Sequence, residues 1–302
     1  MPAPRLEASR ARARRFLLDL QDPDGAWRDF DLPPGPADAW VTAFVGLSLT
    51  LAGGPPEART RGALDRAAAY LGGARAPGGG WGYNRRCPAD ADSTALACLF
   101  LAAAGEAARP RDLAVLAGFQ HDDGAFATYR FGDPAHGWRG GHPEVTATAL
   151  RALLPHLGAG HGRIRAGLAW LGRAQDQGGL TAYWWPTDWY LALELERLAA
   201  GAPALGSPRL TPGPEPVTSF DLALAAELQS IRSPGVRYGA FQRLLARQSA
   251  DGSWPSEPIL RLTDPRATAG HQTEAVASRL FEDRGRSFVT AAALSATAAV
   301  KP

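Results

Sequence analysis

Asp90 and Asp92 stand two residues apart in RRCPADADSTA (85–95), and Glu144 follows in HPEVTATAL (142–150). These are the residues whose types and spacing could do acid chemistry. A carboxylate at the start of a helix accepts hydrogen bonds from first-turn N–H groups that have no other partner, so either aspartate can cap the helix continuing as LACLFLAAAG. The same pair can also form an acid. Two carboxyl groups sharing a low-dielectric site cannot both ionise, and one then keeps its proton far above the usual range. The helix N-terminus favours the charged form by about 0.3–1 kcal/mol, whereas complete desolvation raises a carboxyl pKa by up to about 3–5 units. A dry pocket therefore decides between cap and acid.

The elements that must position these residues recur along the chain. Five helical segments end in a glycine-and-aromatic knot: RRFLLDLQDPDGAW (14–27), AAYLGGARAPGGGW (68–81), AVLAGFQHDDGAF (114–126), AWLGRAQDQGGL (169–180) and RLLARQSADGSW (243–254). A loop and a second, alanine-rich helix follow each one. PVTSFDLALAAELQ is a further such helix with no partner in front of it. Thr42, Thr94 and Thr146 are 52 residues apart, and Thr218 and Thr290 follow at intervals of 72. Helices rich in small residues suit close packing inside a ring, and arginine-bearing ones suit its outside.

This pattern predicts an all-α chain over residues 1–302, a single α/α toroid of about six inner and five outer helices. The stretch GAPALGSPRLTPGPEP (201–216) reads as a lost outer helix. An open solenoid of helix pairs is the alternative. Two residues before the repeat threonines stand Trp40, Asp92, Glu144, Pro216 and Phe288, so Asp92 and Glu144 are expected on adjacent inner helices at one end of the ring.

Composition narrows the function. The 32 basic and 30 acidic residues leave a net charge of +2, and Lys301 is the only lysine; there is no field strong enough for nucleic acid. Cys87 and Cys98 are the only cysteines, which disfavours a disulfide scaffold or structural zinc. The N-terminus has no long apolar run, and no segment of about 20 apolar residues occurs, so a cytoplasmic protein is expected. The first helix, with Arg10, Arg12, Arg14 and Arg15 beside Phe16, Leu17 and Leu18, reads as a solvated outer helix or as a peripheral contact with an anionic membrane.

The knots resemble the QW repeat of squalene-hopene cyclases and related class II terpene cyclases. The first copy, Phe16, Leu17, Gln21, Gly25 and Trp27, fits fully; others carry Arg75 for Gln, and Phe126 or Leu180 for Trp. Protein prenyltransferase β-subunits share that repeat, so a local match has more weight. GGGWGYNRRCPADADSTA resembles the class II motif D-x-D-D-T-A after a Gly-Trp-x-aromatic segment, supplying Trp81, Tyr83, Asp90, Asp92, Thr94 and Ala95, with Ser93 in place of the last acid. The resemblance implies that Asp92 is the proton donor. It also matches Glu144 to an acidic position and Thr148 to one where hopene cyclases keep a histidine that orients the donor. His142 either deputises for that histidine or is a capping residue. Tyr129 falls on a cavity tyrosine and Trp184 on a cavity tryptophan, while Trp184, Trp185 and Trp189 read equally well as core.

The resemblance implies an enzyme that protonates a terminal alkene or epoxide of a linear isoprenoid chain and guides carbocation polycyclisation. Such an acid must be held protonated, aimed and dry. The cation then needs aromatic faces, each contributing about 0.5–2 kcal/mol; Trp40, Trp81, Tyr83, Phe126, Tyr129, Trp184, Trp189, Phe220 and Phe288 are the candidates. No cofactor is expected, apart from Mg²⁺ if the substrate is a diphosphate, and Arg85, Arg86, Arg130 and Arg139 could meet a carboxylate or diphosphate head group. Two other functions fit the same chain: a toroidal glycosidase or lyase using Asp92 with Glu144, and a non-catalytic binding toroid. A polar groove would indicate the sugar enzyme, an aromatic chamber the cyclase and a filled centre the binding protein.

Overall fold

Alanine-rich segments with no polar face are stable as helices only when surrounded, and such segments alternate here with amphipathic ones. The computed structural model describes residues 3–53, 57–130, 137–178, 180–201, 203, 208–233, 239–264 and 279–299. In chain order the helices are α1 (Ala3–Leu20), α2 (Ala39–Leu51), α3 (Ala58–Ala74), α4 (Ala91–Ala103), α5 (Pro110–Ala117), α6 (Pro143–Leu157), α7 (Gly162–Asp176), α8 (Trp189–Gly201), α9 (Ser219–Arg232), α10 (Gly239–Ala246) and α11 (Ser287–Ala299). In α2 every residue from Ala39 to Leu49 is buried, whereas α3 buries only the stripe Thr60, Ala63, Leu64, Ala67, Tyr70 and Leu71.

The fully buried helices form the inner ring. α2 packs on α4, α4 on α6, α6 on α8, α8 on α9, α9 on α11, and α11 returns to α2. That last contact closes the toroid and excludes the open solenoid. α1, α3, α5, α7 and α10 lie outside, giving the six inner and five outer helices expected. Between α8 and α9 no outer helix stands among the described residues. An extended stretch covers the gap, with Arg232 Nη2 donating to Leu210 O at 2.9 Å and Gln175 Nε2 to Arg209 O at 2.9 Å; residues 202 and 204–207 of the predicted gap lie outside the described residues.

The knots explain the repeat. The indole N–H of Trp27, Trp81 and Trp254 donates to the carbonyl ten residues back on its own outer helix, at 2.7, 2.8 and 2.7 Å. The backbone N–H of the knot aromatic is accepted by the repeat threonine of the next inner helix: Trp27 by Thr42, Trp81 by Thr94, Phe126 by Thr146 and Trp254 by Thr290, at 2.9–3.2 Å. Gln21, Gln120 and Gln248 then bond both their own knot and the neighbouring outer helix. At Arg75 the glutamine's work is done by an ion pair with buried Asp112 at 2.8 Å, and Asp112 also accepts from Gly80 N. Thr218 departs from the predicted register. It is the N-cap of α9, accepting from Asp221 N at 2.9 Å, because no knot precedes this helix for a threonine to hold.

Two short hairpins, β1–β2 (Asp29–Leu32 with Gly35–Ala37) and β3–β4 (Pro258–Leu262 with Arg279–Glu282), are antiparallel and were expected only as loops. Proline-bounded strands of three to five residues carry too little alternation to read. No described helix is long and apolar enough to cross a membrane. Two arginines of α1 are engaged internally, Arg10 with Thr297 O and Arg12 with Gln248.

The knot glycines are where the outer helices touch. Gly124 has φ +104°, and a Cβ there would stand 2.2 Å from Ala166 O of α7; Gly53 has φ +84° with open space around it. Gly124→Ala should therefore destabilise by about 3 kcal/mol or more and Gly53→Ala by about 1 kcal/mol. Urea unfolding of the two variants checks the difference, and equal effects would contradict the role given to the knots.

Candidate active site

Superimposing the inner helices by their starts gives the site its logic. The second residue of α2, α4, α6, α8, α9 and α11 is Trp40, Asp92, Glu144, Tyr190, Phe220 and Phe288 in turn. These six equivalent positions meet at one end of the ring, with acids and a phenol on one half and aromatics on the other. The aromatic half is continuous: Trp40 lies 4.8 Å from Phe288, Phe288 5.7 Å from Phe220, and Phe44 stacks under Phe288 at 3.7 Å. Trp185, from the loop before α8, covers this layer at 5.0 Å from Phe220 and 4.5 Å from Tyr190.

Above the layer opens a cavity of about 250 Å³. Its wall includes Trp40, Tyr83, Asp90, Asp92, Ser93, Tyr129, Glu144 and Trp184, all expected from the sequence. It also includes residues the sequence reading missed: Pro33 and Pro34 between β1 and β2, Cys87, Pro88, Thr128, Trp138, Trp185, and Leu260, Arg261 and Leu262 of β3. The paired tryptophans of LTAYWWPTDW were the one signal for Trp185; the hairpin residues had none.

Seven expected wall residues lie elsewhere. Trp81 and Phe126 are knot residues, fully buried and tied to Thr94 and Thr146. Phe220 and Phe288 form the layer beneath Trp185. Trp189 is packed in the core. Thr148 is buried one turn below Glu144, its hydroxyl 2.9 Å from Glu144 O and 3.3 Å from Glu194 Oε2. His142 does not deputise for an orienting histidine. Its Nε2 lies 2.8 Å from Gly137 O, which can only accept, so Nε2 bears the hydrogen and Nδ1 accepts from Thr128 Oγ1 at 2.8 Å. That hydroxyl accepts from Trp184 Nε1 at 2.8 Å. Burial lowers the His142 pKa to about 4, so a neutral ring holds Trp184 against the wall.

Both readings of the aspartate pair are realised, one on each residue. Asp90 is the cap: its Oδ1 accepts from Ser93 N at 2.7 Å and its Oδ2 from Ser93 Oγ at 2.8 Å. Ser93 thus serves the cap. Burial still pushes Asp90 up to about 7 against those bonds. Asp92 takes no part in capping. Its Oδ2 accepts from Trp40 Nε1 at 2.9 Å, and its buried Oδ1 has no hydrogen-bond partner among the described residues. Burial, reinforced by Asp90, Glu144 and Glu194, raises its pKa well above the carboxylate range, with only the Trp40 bond opposing. Glu144 is fixed at Oε1 by Tyr183 N and Trp184 N, at 2.7 and 2.8 Å; Oε2 is buried and unpartnered, and burial raises its pKa to about 7.

The expected arginines do not face the cavity. Arg85 is exposed and stacks on Tyr70 at 4.6 Å, Arg86 and Arg130 are exposed, and Arg139 is half-buried outside the wall. Arg261 is the one cation on the described wall. Among the described residues no three His, Cys, Asp or Glu side chains converge as metal ligands.

The closed α/α ring, with buried acids at the mouth of an aromatic chamber, is matched by solved class II terpene cyclases, and the chain is an enzyme of that class, with the squalene-hopene cyclase-like fold. The type II terpene cyclase MstE from Scytonema, without ligand, matches at 27% identity and a TM-score of 0.81, over 98% of this chain and 97% of that one. MstE variants bound to geranylgeranyl dihydroxybenzoate as substrate and to merosterolic acid A as product match at 27% identity and TM-scores of 0.80, the first over 98% of this chain and 97% of that one, the second over 99% of each. An unsaturated glucuronyl hydrolase specific for heparin shares the fold at 12% identity and a TM-score of 0.62, over 97% of this chain and 96% of that one. The aromatic wall separates the present chain from that sugar-cleaving chemistry. No protein-family model and no curated protein matches the chain.

Buried acids held neutral leave a mark on stability. The unfolded chain loses these protons from about pH 4 upward, while folded Asp90 and Glu144 hold theirs to about 7 and Asp92 beyond. Each group's contribution is thus fully present at low pH and is lost as pH rises through that window. Asp92→Asn, which keeps an acceptor for Trp40, removes one such group. The stability of the variant relative to the wild type should rise between about pH 5 and about pH 8; urea unfolding at both values checks this, and a difference independent of pH would contradict it.

Proposed function

We propose that the chain cyclises a linear isoprenoid carried on an aromatic acid, with Asp92 as the proton donor. The observation that carries the reading is the asymmetric environment of that carboxyl group. Trp40 occupies Oδ2 as a donor, so the proton resides on Oδ1, where no acceptor among the described residues holds it back. An acid that is protonated yet not stabilised by hydrogen bonding from its own O–H is a stronger donor to carbon than one bonded to a neighbour.

The Asp92 proton forms a C–H bond at one end of the terminal alkene, whose π electrons leave a tertiary cation at the other. Successive alkenes attack that cation, each attack closing a ring and moving the charge along the chain. The last cation releases a proton and the Asp92 carboxylate left by the first step takes one up, so substrate and product are isomers, the enzyme is restored and no electrons are gained or lost. The faces of Trp40, Tyr83, Trp184 and Trp185 are the wall against which the charge moves, each contributing about 0.5–2 kcal/mol. Prefolding of the chain by the wall sets the ring count before the proton arrives. The donor is supplied by the protein, so initiation by this route requires neither a metal nor a redox cofactor.

The head group is read as a carboxylated aromatic ring. MstE, 27% identical, has been crystallised with geranylgeranyl dihydroxybenzoate. In the present chain Arg261 on the wall supplies the complement to a carboxylate, and Trp138 and Trp184, 5.7 Å apart, offer aromatic faces beside it.

Incubation of the purified protein with geranylgeranyl dihydroxybenzoate, followed by mass spectrometry and NMR of the product, tests the reading. The expected result is a cyclised isomer of equal mass. Asp92→Asn should lose at least about 10³-fold in rate with its fold intact, since asparagine preserves the bond to Trp40. The methyl ester of the substrate should bind about 10-fold or more weakly without loss of cyclisation. Turnover by Asp92→Asn near the wild-type rate would sink the assignment of the donor.

A further inference from the structure

Beneath the site lies a column of buried charge that the reaction as described does not use. On α6 the residues Glu144, Thr148 and Arg151, and on α8 the residues Tyr190, Glu194 and Arg197, follow the spacing i, i+4, i+7, which puts each set on one helix face. The two helices pack together. Tyr190 belongs to the ring of second residues that includes Asp92, and its buried hydroxyl has no partner among the described residues. Glu194 is one turn deeper, about 6 Å along the axis. It is 1% exposed and does not line the cavity.

The Glu194 carboxylate is locked in place. Arg151 Nη1 reaches it at 2.6 Å, Arg197 Nη1 at 2.8 Å and Thr148 Oγ1 at 3.3 Å. Arg197 also donates to Glu227 of α9 at 2.9 Å. The column is therefore electrically balanced, two carboxylates against two guanidinium groups, but ordered: Glu194 stands one turn nearer the site than Arg197. Of these charges it is Glu194 that opposes ionisation of Asp92. The neighbouring pair of Glu196 with Arg232, at 3.0 Å, is separate.

Three carboxyl groups act electrostatically against ionisation of Asp92: Asp90 just before α4, Glu144 from α6 and Glu194 from α8. Burial raises the first two to about 7, so near neutral pH neither is a dependable anion. Burial would raise Glu194 too, but Arg151 and Arg197 outweigh it and hold the group below the usual glutamate range. It alone of the three keeps its charge throughout the working range, and the arginines behind it keep that charge away from the carbocation as a base. At the position where the resemblance places a histidine, the Thr148 hydroxyl lies between Glu144 O at 2.9 Å and this carboxylate at 3.3 Å.

We propose that Glu194 is a positioning residue for the protonation step: a carboxylate locked between two arginines and sealed from substrate, whose field opposes ionisation of Asp92 and keeps the donor loaded. This rests on Asp92 being the donor.

The test is the pH dependence of kcat for geranylgeranyl dihydroxybenzoate in the wild type, Glu194→Gln and Glu194→Asp. Activity requires protonated Asp92 and so falls at high pH. Glu194→Gln should move that fall about 0.5–1 pH unit lower, leave KM unchanged and retain near-wild-type kcat at mildly acidic pH; Glu194→Asp should restore the wild-type profile. If Glu194→Gln does not fold, the charge-balanced double variant Glu194→Gln/Arg151→Gln should show a smaller displacement in the same direction. An unmoved limb in a folded variant, or loss of activity at every pH, overturns the proposal. Activity in Asp92→Asn would instead overturn the assignment of the donor, which separates the two failures.

Discussion

A carboxyl group that must keep its proton inside a protein tolerates neither water nor an unbalanced cation beside it, and the surroundings of Asp92 follow from that requirement. The only donor supplied is the weakly polar indole N–H of Trp40, enough to fix the group's rotation without inviting ionisation. The carboxyl groups that bear on it, Asp90, Glu144 and Glu194, are acidic. Arg151 and Arg197 are paired with Glu194, and Arg261 stands at the cavity wall. The Asp92 site is thus destabilising by design, and the ring around it supplies the rigidity that maintains it.

That rigidity is distributed over the knots. Trp27, Trp81 and Trp254 each bond back to their own outer helix and sideways to the threonine of the next inner helix, so the starts of α2, α4 and α11 are held at two points before any core packing is counted, and Phe126 ties the start of α6 through Thr146. Because the threonine and the second residue share the first turn, fixing Thr94 also fixes Asp92, and fixing Thr146 fixes Glu144. The last knot closes on the first helix: Gln248 bonds Ser9 at 3.0 Å, and the space for a Cβ at Gly252 is taken by Arg12 O at 2.5 Å. The ring therefore has no free end at which the site could relax.

The sequence made this architecture legible wherever the knot and its threonine occur together. It failed where they do not: α8 and α9 have Ala192 and Leu222 at the threonine position, and the nearby Thr218 imitated the repeat while serving as a cap. The cavity was harder to read than the ring because tryptophan and phenylalanine do both jobs. Trp81 carries the same side chain as Trp40 and Trp184, and only its indole bond to a carbonyl ten residues back distinguishes the knot from the wall; Phe126 is marked as a knot residue by its backbone bond to Thr146 alone. His142 was misread because a buried, neutral imidazole with two partners cannot be told from a cavity imidazole without its surroundings. Arg261 had no motif at all, being brought to the wall by a hairpin whose partner strand lies far along the chain. The opening ambiguity, cap or acid, had no single answer in sequence because Ser93 assigns the two roles to different aspartates.

The central claim is that Asp92 is an uncharged acid in the resting protein. Infrared difference spectroscopy between the wild type and Asp92→Asn at mildly alkaline pH measures this directly, since a protonated carboxyl and a carboxylate absorb at separate C=O frequencies. The account predicts a protonated-carboxyl band in the wild type that disappears in the variant. A difference spectrum containing only carboxylate bands would show that Asp92 is ionised before substrate arrives and would contradict the account.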